Sequence, residues 1–187
     1  INQGAKNLTA ISNNAGEAYH GLAKLISERR VTKVICSFPT ANKKAVVKDL
    51  YAVGELELEI VPQGTLSERI RASGAGIGGF YTPTSFGTKL GKGKETRKFN
   101  GRDYVLEYPL HADFAFIKAK KADRWGNLTY DKSARNFGPS MAMAGKITVV
   151  QVDEIVQLGE LDPEAIVTPG IFVDRVIKLD VPNYITS

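Results

Sequence analysis

The fold is decided by the segment Val61–Thr84, which reads VPQGTLSERIRASGAGIGGFYTPT. Just before it, leucine or isoleucine alternates with glutamate over Glu55–Ile60, which is the period of a half-buried strand. Pro62 ends this strand because proline has no N–H to donate to a neighbouring strand. Thr65 and Glu68 have the spacing of a capping box, which predicts that a helix begins at once.

Two residues, Gln63 and Gly64, lie at the junction between this strand and this helix. Gly74 is predicted to end the helix, since glycine tolerates the left-handed conformation common at that position. In open α/β sheets, ligands bind beyond the carboxyl ends of the strands, and helix N-termini favour anionic groups. Gln63 and Gly64 are therefore candidate site residues.

Strands and helices alternate along the first half of the chain. Strands are predicted at Leu8–Ser12 and Val31–Ser37, and amphipathic helices at Leu22–Ile26 and Ala45–Tyr51. The alternation predicts an α/β fold with an open, mainly parallel sheet and helices on both faces. The second half should contain a β-hairpin, because Asn100–Gly101 suits a type I′ turn. At 187 residues, a single domain over 1–187 is expected.

Three glycines, Gly74, Gly76 and Gly79, match the dinucleotide-binding pattern G-x-G-x-x-G. That motif needs a strand before it and a helix that begins within it. Here a helix is predicted to precede it and Tyr81–Pro83 follows, so NAD binding is rejected. Glycine also lets the backbone approach a ligand or a partner chain closely, which makes Gly76 a candidate substrate-binding residue.

Two amides, Asn13 and Asn14, follow the first predicted strand and precede Gly16. One interpretation is a turn, because asparagine and glycine both tolerate positive φ. The other is a pair of donors for a carboxylate or thioester oxygen, and the two interpretations are compatible. We expect the strand before Asn13 to lie beside the strand that ends before Gln63, so that these amides converge.

The composition is that of an ordinary soluble globular protein, 43% hydrophobic and 24% charged. No apolar run is long enough to span a membrane. His20 and His111 stand alone, without the spacing of metal ligands. Cys36 lies in an apolar strand, which is typical of an inert core thiol. We therefore expect no metal, no membrane association and a cytoplasmic location that keeps the single cysteine reduced.

The formal net charge is +5, and its largest local source is the basic cluster, which we define as Lys89, Lys92, Lys94, Arg97 and Lys98. A solvated surface loop is favoured over a phosphate site for this cluster. Nucleic-acid binding is favoured still less, because no aromatic platform interleaves with the basic residues.

Several blocks resemble the A subunit of family I CoA-transferases. They are Ser12–Gly16, Pro62–Arg71, Gly74–Gly76, Phe80–Thr84, Leu128–Tyr130 and Ser133–Phe137. The resemblance covers nearly the whole chain and implies one A-subunit domain. It also implies that the N-terminal βα unit of the family, with a Gly-Gly-Phe loop that helps to line the CoA site, is missing from this sequence.

The resemblance implies a ping-pong transfer of CoA between two carboxylic acids through a glutamyl-CoA thioester. In two-subunit members the glutamate belongs to the B subunit, within a Ser-Glu-Asn-Gly motif that this sequence lacks, and Glu68 is better explained as the capping partner of Thr65. The implied partners are a B subunit, in a heterodimer or heterotetramer, and small carboxylic acids and acyl-CoA. The CoA thioester is a substrate, and no permanently bound cofactor is expected.

The resemblance also implies roles for the candidate residues. Family members place the glutamine that matches Gln63 in the oxyanion hole, opposite the partner's glutamate. Asn13, Asn14, Gly64 and Gly76 are then the expected substrate-binding residues.

Four further blocks most resemble the 3-oxoadipate group within this family. They are Cys36–Pro39, Pro109–Ala115, Asp123–Tyr130 and Thr168–Val173. This implies transfer of CoA from succinyl-CoA to 3-oxoadipate in the β-ketoadipate pathway of aromatic compound catabolism. A succinyl-CoA:acetoacetate or acetate-type transferase is the alternative within the family. A non-catalytic acyl-CoA-binding regulator is the alternative of a different class, and it predicts ligand binding by this chain alone.

Overall fold

A computed structural model describes residues 3–16, 20–39 and 46–179 of the chain. It divides into two compact units, the first formed by Ile1–Leu66 with Tyr81–Glu107, the second by Ser67–Phe80 with Tyr108–Ser187. Helices and parallel strands occur together in it, so the predicted α/β class is confirmed, with the strands distributed over three sheets.

The sheet that carries most of the candidate site lies in the first unit. Its strands are β1 (Leu8–Ile11), β2 (Val31–Cys36) and β3 (Glu57–Ile60), all parallel and in the order β1-β2-β3. The helices α1 (Gly21–Ser27) and α2 (Val46–Ala52) belong to the two connections. Residues 40–45, which include the predicted start of α2 at residue 45, lie outside the described residues.

The strand β2 separates β1 from β3, so the expectation that β1 lies directly beside β3 is wrong. Each short crossover returns the chain to the position next to the strand it left, which gives a sheet in sequence order. The core of this sheet is apolar and consists of Ala15, Ile26, Val31, Val34, Cys36, Val47, Leu50 and Leu56. Burial of these side chains holds both helices on the sheet.

The predicted hairpin is confirmed in the first unit. The strands β4 (Phe80–Thr82), β5 (Thr96–Phe99) and β6 (Arg102–Glu107) form a sheet in the order β4-β6-β5. Asn100 and Gly101 join β5 to β6 with φ values of 47° and 78°. Both are positive, as a type I′ turn requires.

Three members of the basic cluster contact other side chains in the same unit. Lys94 forms an ion pair with the buried carboxylate of Glu107, and Lys98 lies 3.7 Å from Asp103. The Arg97 guanidinium lies 5.3 Å from the centre of a tyrosine ring. Arg97 and Lys98 lie on the strand β5, so the surface-loop prediction is wrong for these two residues.

The second unit contains a four-stranded sheet in the order β10-β9-β7-β8, built from β7 (Ala112–Asp123), β8 (Leu128–Thr129), β9 (Gly145–Val156) and β10 (Arg175–Lys178). The strand β9 is parallel to β7 and β10, whereas β8 is antiparallel to β7. The helix α4 (Ala134–Ala144) packs against β7 and β9. Among all described residues, no helix has both the length and the apolar character needed to cross a lipid bilayer.

The helix α3 (Gln63–Gly74) begins three residues earlier than the capping box requires, since Thr65 as N-cap would place the first helical residue at Leu66, so that prediction is wrong. Thr65 lies inside the first turn, and its buried hydroxyl has no hydrogen-bond partner among the described residues. The carboxylate of Glu68 accepts hydrogen bonds of 2.8 and 2.7 Å from Arg71 instead. These bonds lower the pKa of Glu68.

The prediction that Gly74 ends α3 is confirmed, but the left-handed residue is Gly76, with φ of 69°. The Ile77 N–H donates to the Ala72 carbonyl at 2.9 Å, and the Gly76 N–H donates to the Ser73 carbonyl at 3.3 Å. This pair of bonds is the Schellman motif, which needs a left-handed residue at Gly76.

Gly74 has a different requirement, and Gly74→Ala is expected to lower the free energy of unfolding by about 1–3 kcal/mol. A Cβ atom on Gly74 would lie 2.4 Å from the Cβ atom of Met143 and 2.9 Å from its carbonyl carbon. Chemical denaturation followed by circular dichroism measures the change. Gly78→Ala is the control, because a Cβ atom there meets no atom within 4 Å in the part of the chain that the structure describes. Equal stability of the two variants would contradict close packing of α3 against α4.

Candidate active site

The carboxyl ends of β1, β2 and β3 meet at one edge of their sheet, and a polar residue follows each strand there. These residues are Asn13 after β1, Ser37 after β2 and Gln63 after β3. Parallel strands bring such residues to a single edge, where ligands bind in open α/β folds.

The side chain of Asn13 joins the other two. Its Oδ1 atom accepts a hydrogen bond of 2.9 Å from Nε2 of Gln63 and one of 2.6 Å from the hydroxyl of Ser37. The main chain is fixed as well, because the N–H groups of Ser37 and Phe38 donate to the Asn13 carbonyl at 3.2 and 3.0 Å. The structure therefore brings Asn13 and Gln63 together, although β2 lies between their strands.

Amide donors remain unused at this edge. Gln63 is exposed, and only one N–H of its Nε2 group is directed to Asn13. Within the described residues, neither the second N–H of Gln63 nor the NH₂ group of Asn13 has a protein acceptor. Gln63 also begins α3, so the positive end of the helix dipole lies beside these donors. Such an arrangement can bind an anionic oxygen.

Asn14 has a role in the local turn. Its Oδ1 atom accepts a hydrogen bond of 2.9 Å from the N–H of Gly16, which is an Asx turn. Gly16 has φ of 84°, and a Cβ atom there would lie 2.8 Å from the backbone nitrogen of Ala23. The side-chain oxygen of Asn14 thus supports the turn interpretation, while its NH₂ group has no acceptor among the described residues.

The two candidate glycines differ in what surrounds them. Gly64 lies exposed in the first turn of α3, and a Cβ atom there would meet no atom of the described residues within 4 Å. Packing within the described part of the chain therefore does not require glycine at Gly64. Gly76 belongs to the second unit, beyond the opposite end of α3, and its left-handed backbone accounts for the glycine. Substrate binding by Gly64 and Gly76 stays a prediction.

Ser37 was assigned no role in the site from the sequence, although it ends a predicted strand and belongs to the block Cys36–Pro39 that resembles the 3-oxoadipate group. The one available signal was its place as the first polar residue after an apolar strand, since the sequence does not show that β2 is central. Cys36 precedes it and is fully buried, and burial raises the pKa of its thiol, as expected of a core cysteine. His111 lies exposed in the second unit, with Nδ1 2.7 Å from the hydroxyl of Ser73.

The fold agrees with comparisons to known proteins. The model of the coenzyme A transferase family matches residues 1–179. The chain therefore belongs to the coenzyme A transferase family, and the resemblance found in its motifs is confirmed.

Two curated relatives within this family are both A subunits by name. The chain is 62% identical over 179 residues to the A subunit of 3-oxoadipate CoA-transferase from Pseudomonas putida, covering 96% of this chain and 78% of the relative. It is 53% identical over 175 residues to the A subunit of a probable succinyl-CoA:3-ketoacid coenzyme A transferase from Bacillus subtilis, covering 94% and 73%.

A solved structure shows the same fold. An acyl-CoA transferase from E. coli O157:H7, crystallised as a thioester complex with CoA, is 25% identical with a TM-score of 0.78. The match covers 95% of this chain and 38% of that longer chain.

The two possible functions of Asn14 can be separated by two substitutions. Asn14→Asp keeps the oxygen that accepts from Gly16 but removes the NH₂ donor, whereas Asn14→Ala removes both. If the donor binds a substrate oxygen, both variants should lose at least about tenfold in CoA-transfer rate, the effect of roughly 1.4 kcal/mol. Thermal unfolding should shift only for Asn14→Ala. If Asn14→Asp keeps the wild-type turnover rate, the role of Asn14 is only to stabilise the turn.

Proposed function

We propose that this chain is the A subunit of a 3-oxoadipate CoA-transferase, which moves CoA from succinyl-CoA to 3-oxoadipate together with a B subunit. The higher identity to the Pseudomonas putida relative than to the Bacillus subtilis relative supports this acceptor. The main support for a catalytic role is the side-chain amide of Gln63. It lies at the start of α3 and donates one N–H to Asn13, and its second N–H has no acceptor among the described residues.

The chemistry needs a donor of this kind. A carboxylate oxygen adds to the carbonyl carbon of a thioester, and the carbonyl oxygen becomes an oxyanion. The C–S bond then breaks, which leaves a mixed anhydride and the CoA thiolate. The thiolate adds to the glutamate carbonyl of this anhydride, and the acyl group leaves as a carboxylate, which gives the glutamyl-CoA thioester without exchange of a proton or an electron. Donors held where the negative charge develops stabilise the transition state more than the ground state.

Gln63 fits this task for two reasons. Its unused N–H can point to the oxyanion while the first N–H remains bound to Asn13. The N-terminus of α3 adds a favourable electrostatic field for negative charge. Asn13 and Gly64 then border the same oxygen site, the former through its NH₂ group and the latter by leaving open space above the helix.

The nucleophile is assigned to the partner. Glu68 is the carboxylate within the family's glutamine-bearing block, and it is held by Arg71. We therefore assign the covalent glutamate to the Ser-Glu-Asn-Gly motif of a B subunit, in a heterodimer or heterotetramer. We also propose that residues 1–187 form one A-subunit domain and that the protein acts in the cytoplasm. Its substrates would be CoA thioesters, and it would hold no permanently bound cofactor.

Assembly with a B subunit is the first test of this function. The purified chain alone should not exchange CoA between succinate and 3-oxoadipate, whereas the complex should do so and should prefer 3-oxoadipate to acetoacetate. Steady-state rates with both acids give the result, and size-exclusion chromatography gives the stoichiometry of the complex. Preference for acetoacetate would favour the 3-ketoacid type, and tight acyl-CoA binding without turnover in the complex would favour a regulator.

Gln63→Ala in the assembled enzyme should reduce kcat by about 10²–10³, the typical loss for one oxyanion donor. KM should change much less, because the lost interaction belongs to the transition state. Gln63→Glu should lose as much, since it keeps the side-chain length without the N–H groups. Gln157→Ala, at another exposed glutamine, is the control and should retain wild-type kcat. A wild-type kcat for Gln63→Ala would remove Gln63 from the mechanism.

A further inference from the structure

The hydrogen bonds around Asn13 have a direction. Its Oδ1 atom accepts from Gln63 and from Ser37, so the carbonyl end of the amide faces both of them. An amide rotated by 180° would place an NH₂ group opposite the NH₂ group of Gln63, and neither could accept. The orientation of the Asn13 amide thus decides whether Gln63 is held with a donor available.

Ser37 is the second donor that fixes this orientation. The distance of 2.6 Å from its Oγ to Oδ1 of Asn13 is that of a strong O–H···O hydrogen bond. The same oxygen lies 3.1 Å from the Asn13 carbonyl, which is a longer alternative for one hydroxyl hydrogen. Ser37 is held in turn by its own N–H, which donates to that carbonyl at 3.2 Å.

Gln63 depends on this support because its side chain is long and exposed. A free glutamine side chain has many rotamers, and restricting them costs conformational entropy. Catalytic donors gain from being fixed before the reaction, which requires supporting hydrogen bonds behind them. In this site the supporting path runs from the end of β2 through Asn13 to the start of α3.

We infer that Ser37 is a positioning residue, which orients the Asn13 amide and through it the oxyanion-donating N–H of Gln63. The inference rests on the proposed function of Gln63 and adds a residue from the central strand to it. Ser37 itself need not touch substrate.

The test uses a pair of variants of nearly equal shape, each assembled into the complex with the B subunit. Ser37→Thr keeps a hydroxyl, whereas Ser37→Val replaces it by a methyl group. We expect the valine variant to have a kcat about 5- to 10-fold below that of the threonine variant, the typical effect of one neutral hydrogen bond. KM should agree within about twofold, because ground-state binding is not changed.

Ser37→Ala tests the same bond without added bulk and should show a similar fall in kcat. Ser27→Ala is its matched control, since the Ser27 hydroxyl donates to the Lys24 carbonyl at 2.8 Å in the same unit, on α1. That variant should keep wild-type kcat. Equal kcat in the threonine and valine variants would overturn the inference.

A double-mutant cycle separates positioning from a general structural role. If Ser37 acts through Gln63, Ser37→Ala should cause no further fall in kcat once Gln63→Ala is present, within about twofold. A further 5- to 10-fold fall in that background would show that Ser37 acts by a route other than Gln63 and would overturn the inference. A normal kcat for Gln63→Ala alone would instead overturn the proposed function of Gln63, and the positioning role with it. If Gln63→Ala lowers kcat but the Ser37 variants keep wild-type kcat, the positioning role is overturned and the proposed function of Gln63 is retained.

Discussion

The parallel pairing of β2 with both β1 and β3 is the constraint on which the site depends. Because all three strands run in one direction, their carboxyl ends lie along one edge, and three residues that are far apart in sequence become neighbours. Asn13 and Gln63 are 50 positions apart, and their side chains still meet at 2.9 Å. The apolar core beneath them keeps the edge in register, since the strands cannot slide without exposing buried valine, isoleucine and leucine side chains.

A single acceptor organises the polar groups at that edge. Oδ1 of Asn13 accepts two hydrogen bonds, and an amide oxygen has two lone pairs to accept them. The arrangement leaves N–H groups of Gln63 and Asn13 without protein acceptors in the described part of the chain. Donors without acceptors are a cost in a free protein unless water or a ligand binds them. A substrate oxygen that gains negative charge is a ligand of the right kind.

For α3, the sequence motifs predicted that a helix follows Pro62 and that a glycine ends it, but they assigned the wrong roles to individual residues. A helix does follow Pro62, but it begins at Gln63, and Glu68 binds Arg71 instead of capping the first turn. A glycine does end it, but Gly74 is required by the neighbouring Met143. The capping box and the left-handed glycine are local rules, and in this fold Glu68 pairs with Arg71 while the left-handed residue is Gly76.

The sequence by itself determined the α/β class, the strand and helix alternation, the Asn-Gly hairpin and the core position of Cys36, because each depends on local periodicity or turn chemistry. It also carried the family resemblance and the candidates Asn13 and Gln63. Only the tertiary structure decided that β2 lies between their strands, because strand order depends on crossover geometry and not on local pattern. For the same reason the contribution of Ser37 could be recognised only in the tertiary structure, where its hydroxyl donates to the Asn13 amide that also binds Gln63.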